Sequence, residues 1–310
     1  MSKEVDVVIV GGGPSGLAGA LYTGRANMET VVLERKMLGG QIIESPDVDN
    51  YPGFPEGISG PDLTENMREH VEKFDVTLEY ERVKDIELDG PYKIVESTEE
   101  TYRAPIVILA SGADPRRLDI PGEKELTGSG VSYCATCDGA FFRDQKVVVV
   151  GGGDSATTES VFLTRFASEI KLVHRRQGFR AAPIHVEQAG EQDKIEFILN
   201  TVLTEIHGDE SVEGVTLRNV ESGEESYMEC EGVFILIGHE PNTVIFRGQL
   251  PMNEAGYIKN EKGCASTRLQ GVFVAGDVAD PTYRQAVSAA GTGCMAALEV
   301  ERYLAAKEMS

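Results

Sequence analysis

Two cysteines and an aspartate hold the most direct chemistry in this chain. Cys134 and Cys137 stand as Cys-x-x-Cys, with Asp138 beside them. Sulfurs at that short spacing make a disulfide that opens and closes easily, which suits a catalytic bridge rather than a structural one. Exchange at such a bridge moves a proton, and a neighbouring carboxyl group can give or take it. Zinc is the competing use of the pair. It needs two further ligands, and no second Cys-x-x-Cys or nearby His pair stands in the chain. No metal is expected. Cys230, Cys264 and Cys294 bring the total to five, an odd number that does not read as a disulfide framework. Their surroundings are apolar or small, and they are expected to be inert core residues.

A second group is built of charge. His174-Arg175-Arg176, with Arg180, sets several cations close together in a chain whose net charge is −22. A solvated basic face is the ordinary meaning of such a cluster, but planar guanidinium groups also pair well with phosphate oxygens. Glu34 is the counterpart of opposite sign. A carboxylate accepts hydrogen bonds from the hydroxyls of a bare ribose.

The elements around these charges decide between the readings. Residues 5–10 are an apolar run leading into Gly11-x-Gly13-x-x-Gly16, and apolar residues 30–33 end at Glu34. Residues 147–150 lead into Gly151-x-Gly153-x-x-Ala156, and 170–173 end at His174. Glu34 follows Gly16 at the spacing at which His174 follows Ala156. A strand, a glycine turn and a helix N-terminus present free backbone N–H groups to a pyrophosphate, and the end of the next strand meets the adenosine ribose. The first copy therefore fits FAD or NAD, and the second fits NADP. The first helix starts at Pro14-Ser15, favourable first-turn chemistry. Two glycine turns that bind nothing are the plain alternative. One such motif is weak, whereas two with coherent endings are strong.

The rest of the chain supplies the frame. Residues 36–60, rich in Gly, Pro and Asp, read as loop, and 62–74 as a helix with Leu63, Met67, Val71 and Phe74 on one face. Runs at 83–88, 92–97 and 101–109 read as strands, with a hairpin signal at Asp89-Gly90. The small residues Ala110-Ser111-Gly112-Ala113 let a backbone approach a ligand. After the second glycine turn come helices at 154–166 and 183–192, three meander strands and a closing strand at 232–237. A strand at 271–274 then leads to Gly276-Asp277, and a helix over 283–307 follows. An Asp at that place either caps a helix or contacts sugar hydroxyls, and the two roles coexist.

The expected fold class is α/β, with two Rossmann-like, three-layer ββα domains, the second inserted into the first. Residues 1–113 and 246–310 form a discontinuous FAD-binding domain, and 114–245 an NADPH-binding domain that carries the cysteine pair. Two independent domains in tandem would be the competing layout, and the late Gly276-Asp277 argues against it. A hydride donor and a dithiol on one domain compete for a flavin on the other. That implies rotation of the inserted domain about linkers near 114–117 and 241–246.

The totals exclude other classes. A length of 310 residues suggests about two domains, and 41% hydrophobic content is ordinary for a globular protein. No apolar run approaches the roughly 20 residues of a membrane span. No charged-then-apolar leader precedes the first strand, so the expected location is cytoplasmic. The excess of 51 acidic over 29 basic residues argues against nucleic acid. It fits an ordinary acidic protein or a salt-adapted one.

At these residues the chain resembles one family closely: the low-molecular-weight thioredoxin reductases, FAD-dependent class II pyridine nucleotide-disulfide oxidoreductases. The resemblance runs through GGGPSG at 11–16, GGQ at 39–41, NYPG at 50–53, CATCDG at 134–139, GGGDSA at 151–156 and HRRQGFRA at 174–181. It continues through GHEPNT at 238–243, AGDV at 275–278 and RQAVSAAGTGCMAALEVERYL at 284–304. It implies that Gly11, Gly13, Pro14, Ser15 and Gly16 hold the FAD pyrophosphate, with Glu34 on the ribose. Gly40, Gln41 and Asn50 would line the flavin side, and Val83 would meet the adenine through its backbone. Gly112, Gly276, Asp277, Arg284, Gln285 and Ala286 would contact the ribityl chain and ring. Gly153, Asp154, Ser155, Ala156, Glu159, His174, Arg175, Arg176, Arg180 and Ile237 would bind NADPH. Thr157-Thr158-Glu159-Ser160 stands where acidic-acidic-alanine is usual, so only Glu159 matches there, and Ser111 replaces a usual Thr.

The resemblance also implies the reaction. Hydride passes from NADPH to FAD, electrons pass to the Cys134–Cys137 disulfide through Cys137, and Cys134 attacks the disulfide of thioredoxin or a thioredoxin-like protein, with Asp138 as proton donor. The implied assembly is a homodimer. Relatives reduced by ferredoxin or a deazaflavin tend to lose the arginine cluster that this chain keeps. Flavin disulfide oxidases keep Cys-x-x-Cys but have little use for those arginines. A flavin-binding redox sensor would show no NADPH-dependent disulfide reduction, and ferredoxin–NADP reductase relatives lack the cysteine pair.

Overall fold

Alternating apolar side chains on short parallel strands build two sheets, each covered on both faces. The computed structural model describes residues 2–261 and 263–308. The chain falls into two compact units, Met1–Asp114 with Glu240–Ser310, and Pro115–His239. The return crossing thus lies earlier than the expected 245/246. Residues 242–246 pack with the first unit: the Asn242 amide donates to Gly112 O (3.0 Å), Thr243 Oγ1 to Gly256 O (2.9 Å), and Phe246 is buried in that unit's core.

In the first unit a five-stranded parallel sheet runs in the order Val272–Val274, Ile106–Leu109, Val7–Val10, Thr30–Leu33, Val76–Glu79. One face, with Val8, Val10, Val31 and Val107, packs on Ile86, Val95 and Tyr102 of a second sheet. The other, with Val7, Ile9, Val32 and Ile108, packs on Leu17 and Ala20 of helix Pro14–Arg25 and on Ala296 and Val300 of helix Ala286–Glu308. The layers are ββα because both side-chain phases of the inner strands Val7–Val10 and Ile106–Leu109 are apolar and buried. The run at 101–109 is not one strand. Pro105 has no N–H for a ladder, so Thr101–Ala104 pairs antiparallel with Lys93–Ser97, while Ile106–Leu109 enters the parallel sheet. The strand Val76–Glu79 was not expected; it is short, half exposed and at a sheet edge.

The second unit repeats the plan. Its parallel sheet runs Val131–Ser132, Gly232–Ile235, Lys146–Val150, Glu169–Val173, Ile195–Ile198. One face packs on the three-stranded antiparallel meander Thr201–His207, Gly214–Asn219, Glu225–Glu229. Ala156 and Leu163 of helix Asp154–Leu163 pack on the other. The likeness reaches single hydrogen bonds. Val10 pairs with Leu33 as Val150 pairs with Val173. Gly11 N donates to Leu33 O (2.9 Å) as Gly151 N does to Val173 O (3.1 Å).

Of the three cysteines expected in the core, only Cys230 is buried; Cys264 and Cys294 are half-buried. Cys264 lies on an irregular segment and Cys294 on a helix flank, where a small residue neither demands nor gets full burial. No helix among the described residues is long and apolar enough to cross a membrane. Among them, no cluster of three or more His, Cys, Asp or Glu side chains is set to hold a metal ion.

Candidate active site

Three constellations carry the chemistry, one in the first unit and two in the second. In the first unit the turn after Val7–Val10 delivers Gly13 as the N-cap of helix Pro14–Arg25, with no side chain capping it and no acid in the first turn. The leading N–H groups therefore stay available to an anion. Gly16 is required by contact: a Cβ there would overlap the carbonyl oxygen of Gly11. Glu34 is nearly buried at the end of Thr30–Leu33. Its Oε2 accepts from Gly12 N at 2.8 Å and its Oε1 from Lys36 N at 3.0 Å.

Other expected ligands gather round this turn. Gly40 lies against Gly13, and Gly276 against the Ser15 side chain. Gln41 Nε2 donates to Ala113 O, next to Gly112. Asn50 Nδ2 donates to Gln285 Oε1 at 3.4 Å. Arg284 is held with a positive φ of 49° by Asp280, whose carboxylate takes the amides of Thr282, Tyr283 and Arg284. Its guanidinium turns to Pro281 O at 2.8 Å. Ala286 opens the last helix. Val83 stands in the antiparallel sheet, its side chain packed on the core.

Asp277 is the telling residue of this unit. Its Oδ1 is buried with no hydrogen-bond partner among the described residues. Burial pushes its pKa up to about 7, the charge of Asp280 adds to that, and Arg284 opposes it. A buried carboxylate oxygen without a donor is costly. The hydroxyls of a polyol chain would supply the missing donors, as the ribityl group of a flavin does. The uncapped helix, the close glycines and this orphan acceptor together fit a flavin dinucleotide.

In the second unit Gly153 caps helix Asp154–Leu163, again without a side-chain cap. His174 takes the place of Glu34, but its ring is buried. It stacks on Phe179 (5.1 Å between centroids, 15° between planes), and its Nε2 meets Gly178 O at 3.2 Å. Burial holds its pKa below the usual histidine value, the Gly178 bond opposes this, and Arg176, Arg175 and Arg180 add to the lowering. Of the expected basic cluster, Arg175, Arg176 and Arg180 thus remain at the surface while His174 is withdrawn from it. All three are exposed, and none forms an ion pair with an acidic side chain among the described residues. Asp154 is committed elsewhere, to Ala182 N and His185 Nδ1 at 2.8 Å each. Ser155 and Ala156 occupy the helix's first turn, and Ile237 lies half-buried against the core of this unit.

Cys134 and Cys137 form a disulfide, with Cα atoms 5.3 Å apart. The short helix Ala135–Asp138 shapes it, and the amides of Cys137 and Asp138 bond back to Cys134 O. Glu159, expected at the nucleotide, has an oxygen on Ala135 N at 3.0 Å, beside the disulfide. Asp138 is half-buried; burial raises its pKa and its bond to Ser132 lowers it. Glu123 Oε1 accepts from Leu118 N (3.1 Å) and Tyr133 Oη (2.9 Å), and its Oε2 from Asp119 N (2.7 Å), so it pins the chain on the N-terminal side of Cys134. Ser132, Glu123 and Phe179 went unnoticed in sequence. Each acts through an atom contact that no spacing rule encodes, although the Ser two places before a reactive Cys was a local signal.

A family model described as pyridine nucleotide-disulphide oxidoreductase matches residues 5–293. A thioredoxin reductase of Mycolicibacterium smegmatis is 50% identical over 303 residues, 98% of this chain and 97% of that protein. A bifunctional thioredoxin reductase/thioredoxin of Mycobacterium leprae is 47% identical over 301 residues, 97% of this chain and 66% of that one. The crystal structure of thioredoxin reductase from Streptococcus pyogenes superposes with a TM-score of 0.94 at 41% identity, covering 99% of this chain and all of that one.

Proposed function

The chain belongs to the pyridine nucleotide-disulphide oxidoreductase family, and from that premise we propose how its residues divide the work of a thioredoxin reductase. It is a flavoprotein oxidoreductase of the thioredoxin reductase type. The first unit holds FAD: the uncapped helix takes the pyrophosphate, Glu34 the ribose and Asp277 the ribityl chain. The second unit holds NADPH, with Arg175, Arg176 and Arg180 on the 2′-phosphate. When bound, the flavin supplies a two-electron relay between the nicotinamide and a disulfide. The observation that carries the reading is the disulfide itself, Cys134–Cys137, formed on the same unit as three exposed arginines.

The sulfurs then act in order. Cys134, as thiolate, attacks the disulfide of a thioredoxin-like partner and displaces one of its sulfurs as a thiolate, leaving a mixed disulfide. Cys137, the sulfur that would take electrons from the flavin when it is bound, attacks Cys134 Sγ. That releases the partner as a dithiol and restores the Cys134–Cys137 bond. Asp138 stores the proton that these steps consume and release. The disulfide and the nucleotide anchor share one unit while the flavin anchor lies on the other. The cycle therefore calls for turning of the inserted unit on its two crossings, Ala113–Pro115 and His239–Pro241. The protein works as a homodimer in the cytoplasm, to be checked by size-exclusion chromatography and localisation.

Stopped-flow reduction of the purified yellow protein tests the reading. NADPH should bleach the flavin far faster than NADH or a reduced deazaflavin, and adding thioredoxin should restore the colour. A flavin that NADPH leaves oxidised would sink the assignment of the arginines.

A further inference from the structure

Ser132 is buried at the end of strand Val131–Ser132, and the chemistry above leaves it idle. Its Oγ stands 2.6 Å from Asp138 Oδ2, 3.1 Å from the Cys134 amide nitrogen and 3.3 Å from the Cys134 carbonyl oxygen. A hydroxyl has one proton to give and two lone pairs to share. The Cys134 amide takes one lone pair throughout. When Asp138 is ionised, the hydroxyl donates its proton to Oδ2. When Asp138 is protonated, the acid donates to Oγ, and the hydroxyl proton turns to the Cys134 carbonyl. Ser132 Oγ, Asp138 Oδ2 and the Cys134 amide keep partners in both arrangements, and no heavy atom has to move. An alanine would serve neither.

We propose that Ser132 is a positioning residue for disulfide exchange, a proton-following clamp that holds Asp138 on the Cys-x-x-Cys turn in both of its protonation states. The proposal rests on the reading of Asp138 as proton donor. Two electrons from the bound, reduced flavin break the Cys134–Cys137 bond and leave two thiolates. One proton from Asp138 converts one thiolate to a thiol, leaving a thiol, a thiolate and a carboxylate. The Ser132 proton swings from the Cys134 carbonyl to Oδ2 in the same step, so the new carboxylate is never left without a donor.

The surroundings give Ser132 this influence. Burial drives Asp138 toward its neutral form, and the Ser132 hydroxyl is what opposes that. Other ionisable groups packed round the turn have their own anchors. Glu159, from helix Asp154–Leu163, reaches Ala135 N. Glu123 bonds Tyr133 on the preceding segment, and Arg117 lies over the Tyr133 ring.

The test is the midpoint potential of the Cys134–Cys137 couple in the FAD-loaded protein, poised in dithiothreitol buffers across pH and read by counting alkylated thiols in a mass spectrometer. The wild-type plot of potential against pH should break where Asp138 titrates, and Asp138→Asn should remove the break. Ser132→Ala should move the break to higher pH and slow exchange with a small aromatic disulfide about tenfold, the cost of one hydrogen bond to a charged group. Ser132→Thr should return both to wild-type values, and Ser132→Ala should change nothing further in the Asp138→Asn background. An unmoved break in Ser132→Ala, or no recovery in Ser132→Thr, overturns the clamp. A break that survives Asp138→Asn overturns the reading of Asp138 on which it rests.

Discussion

Glu34 and His174 occupy one position in two copies of a single motif, and each is folded against the middle glycine of its turn. Glu34 Oε2 accepts from Gly12 N at 2.8 Å. The His174 ring fills the space that a Cβ on Gly152 would take. The carboxylate turns into its own glycine turn as an acceptor, while the imidazole fills the gap and leaves the surface to its arginine neighbours. On the proposed reading, one backbone frame would thereby gain opposite selectivity in its two copies.

Selectivity for the phosphorylated coenzyme should therefore rest on three side chains and not on His174. Replacing Arg175, Arg176 or Arg180 singly with Ala should weaken NADPH binding by about ten- to a hundredfold, the usual worth of a charge-assisted bond. NADH binding should stay where it was. Equilibrium titration of each variant with both nucleotides checks this. Parallel losses for the two would mean that the arginines support the fold rather than the phosphate.

Asp277 should make the flavin-free protein's stability depend on pH. Its folded pKa of about 7 lies above the ordinary 3.8 of an unfolded aspartate. The folded state thus binds the proton more tightly. The stability this group contributes is fully present below about pH 4 and is lost as pH rises through about 7. Denaturant titrations of the apoprotein between pH 5 and 8 should show the decline, and Asp277→Asn should flatten it. The same variant should bind FAD more weakly by roughly 1–3 kcal/mol, since the amide offers a poorer acceptor to the ribityl hydroxyls. An apoprotein equally stable across that range would remove the basis for this assignment.

The two nucleotide turns were legible in sequence because strand, glycine and ribose-end residue are local and ordered along the chain. The match extends to equivalent bonds, Gly11 to Leu33 and Gly151 to Val173. The cysteine pair was legible for the same reason. The split of residues 101–109 was not, although Pro105 was its visible cause, because apolar content continues across the break while hydrogen bonding does not. The burial of His174 was hidden too. It depends on Phe179 closing over the ring, a contact set by loop geometry and not by period. Asp154 and Glu159 sit at the expected register of the second motif, yet their carboxylates turn to Ala182 and Ala135. Register places a backbone; the donors within reach decide where a carboxylate goes.

Glu123 should matter to the disulfide without touching it. It is almost completely buried, and its two oxygens serve the amides of Leu118 and Asp119 and the phenol of Tyr133. Burial and the Glu123 bond push the Tyr133 pKa up to about 12, so the phenol remains a donor at any working pH. Glu123→Ala takes the acceptor from the Leu118 and Asp119 amides and the Tyr133 phenol at once and should cost about 3 kcal/mol, while Tyr133→Phe should cost about 1 kcal/mol. Urea unfolding followed by circular dichroism gives both numbers. Equal costs for the two would show that only the phenol bond counts.

Gly152 tests the fit of the second turn most sharply. A Cβ there would overlap the His174 ring, which is buried and stacked on Phe179. Gly152→Ala should therefore displace the loop that carries Arg175, Arg176 and Arg180 and weaken NADPH binding by about tenfold or more, with FAD content unchanged because the first unit is untouched. Pairing it with His174→Ala removes the clash and should recover most of the loss, although His174→Ala alone leaves a cavity and is itself destabilising. A double variant that binds NADPH better than Gly152→Ala alone gives the expected coupling. Additive losses would show that the ring and the glycine act independently, and that His174 meets the nucleotide by some other route than filling this space.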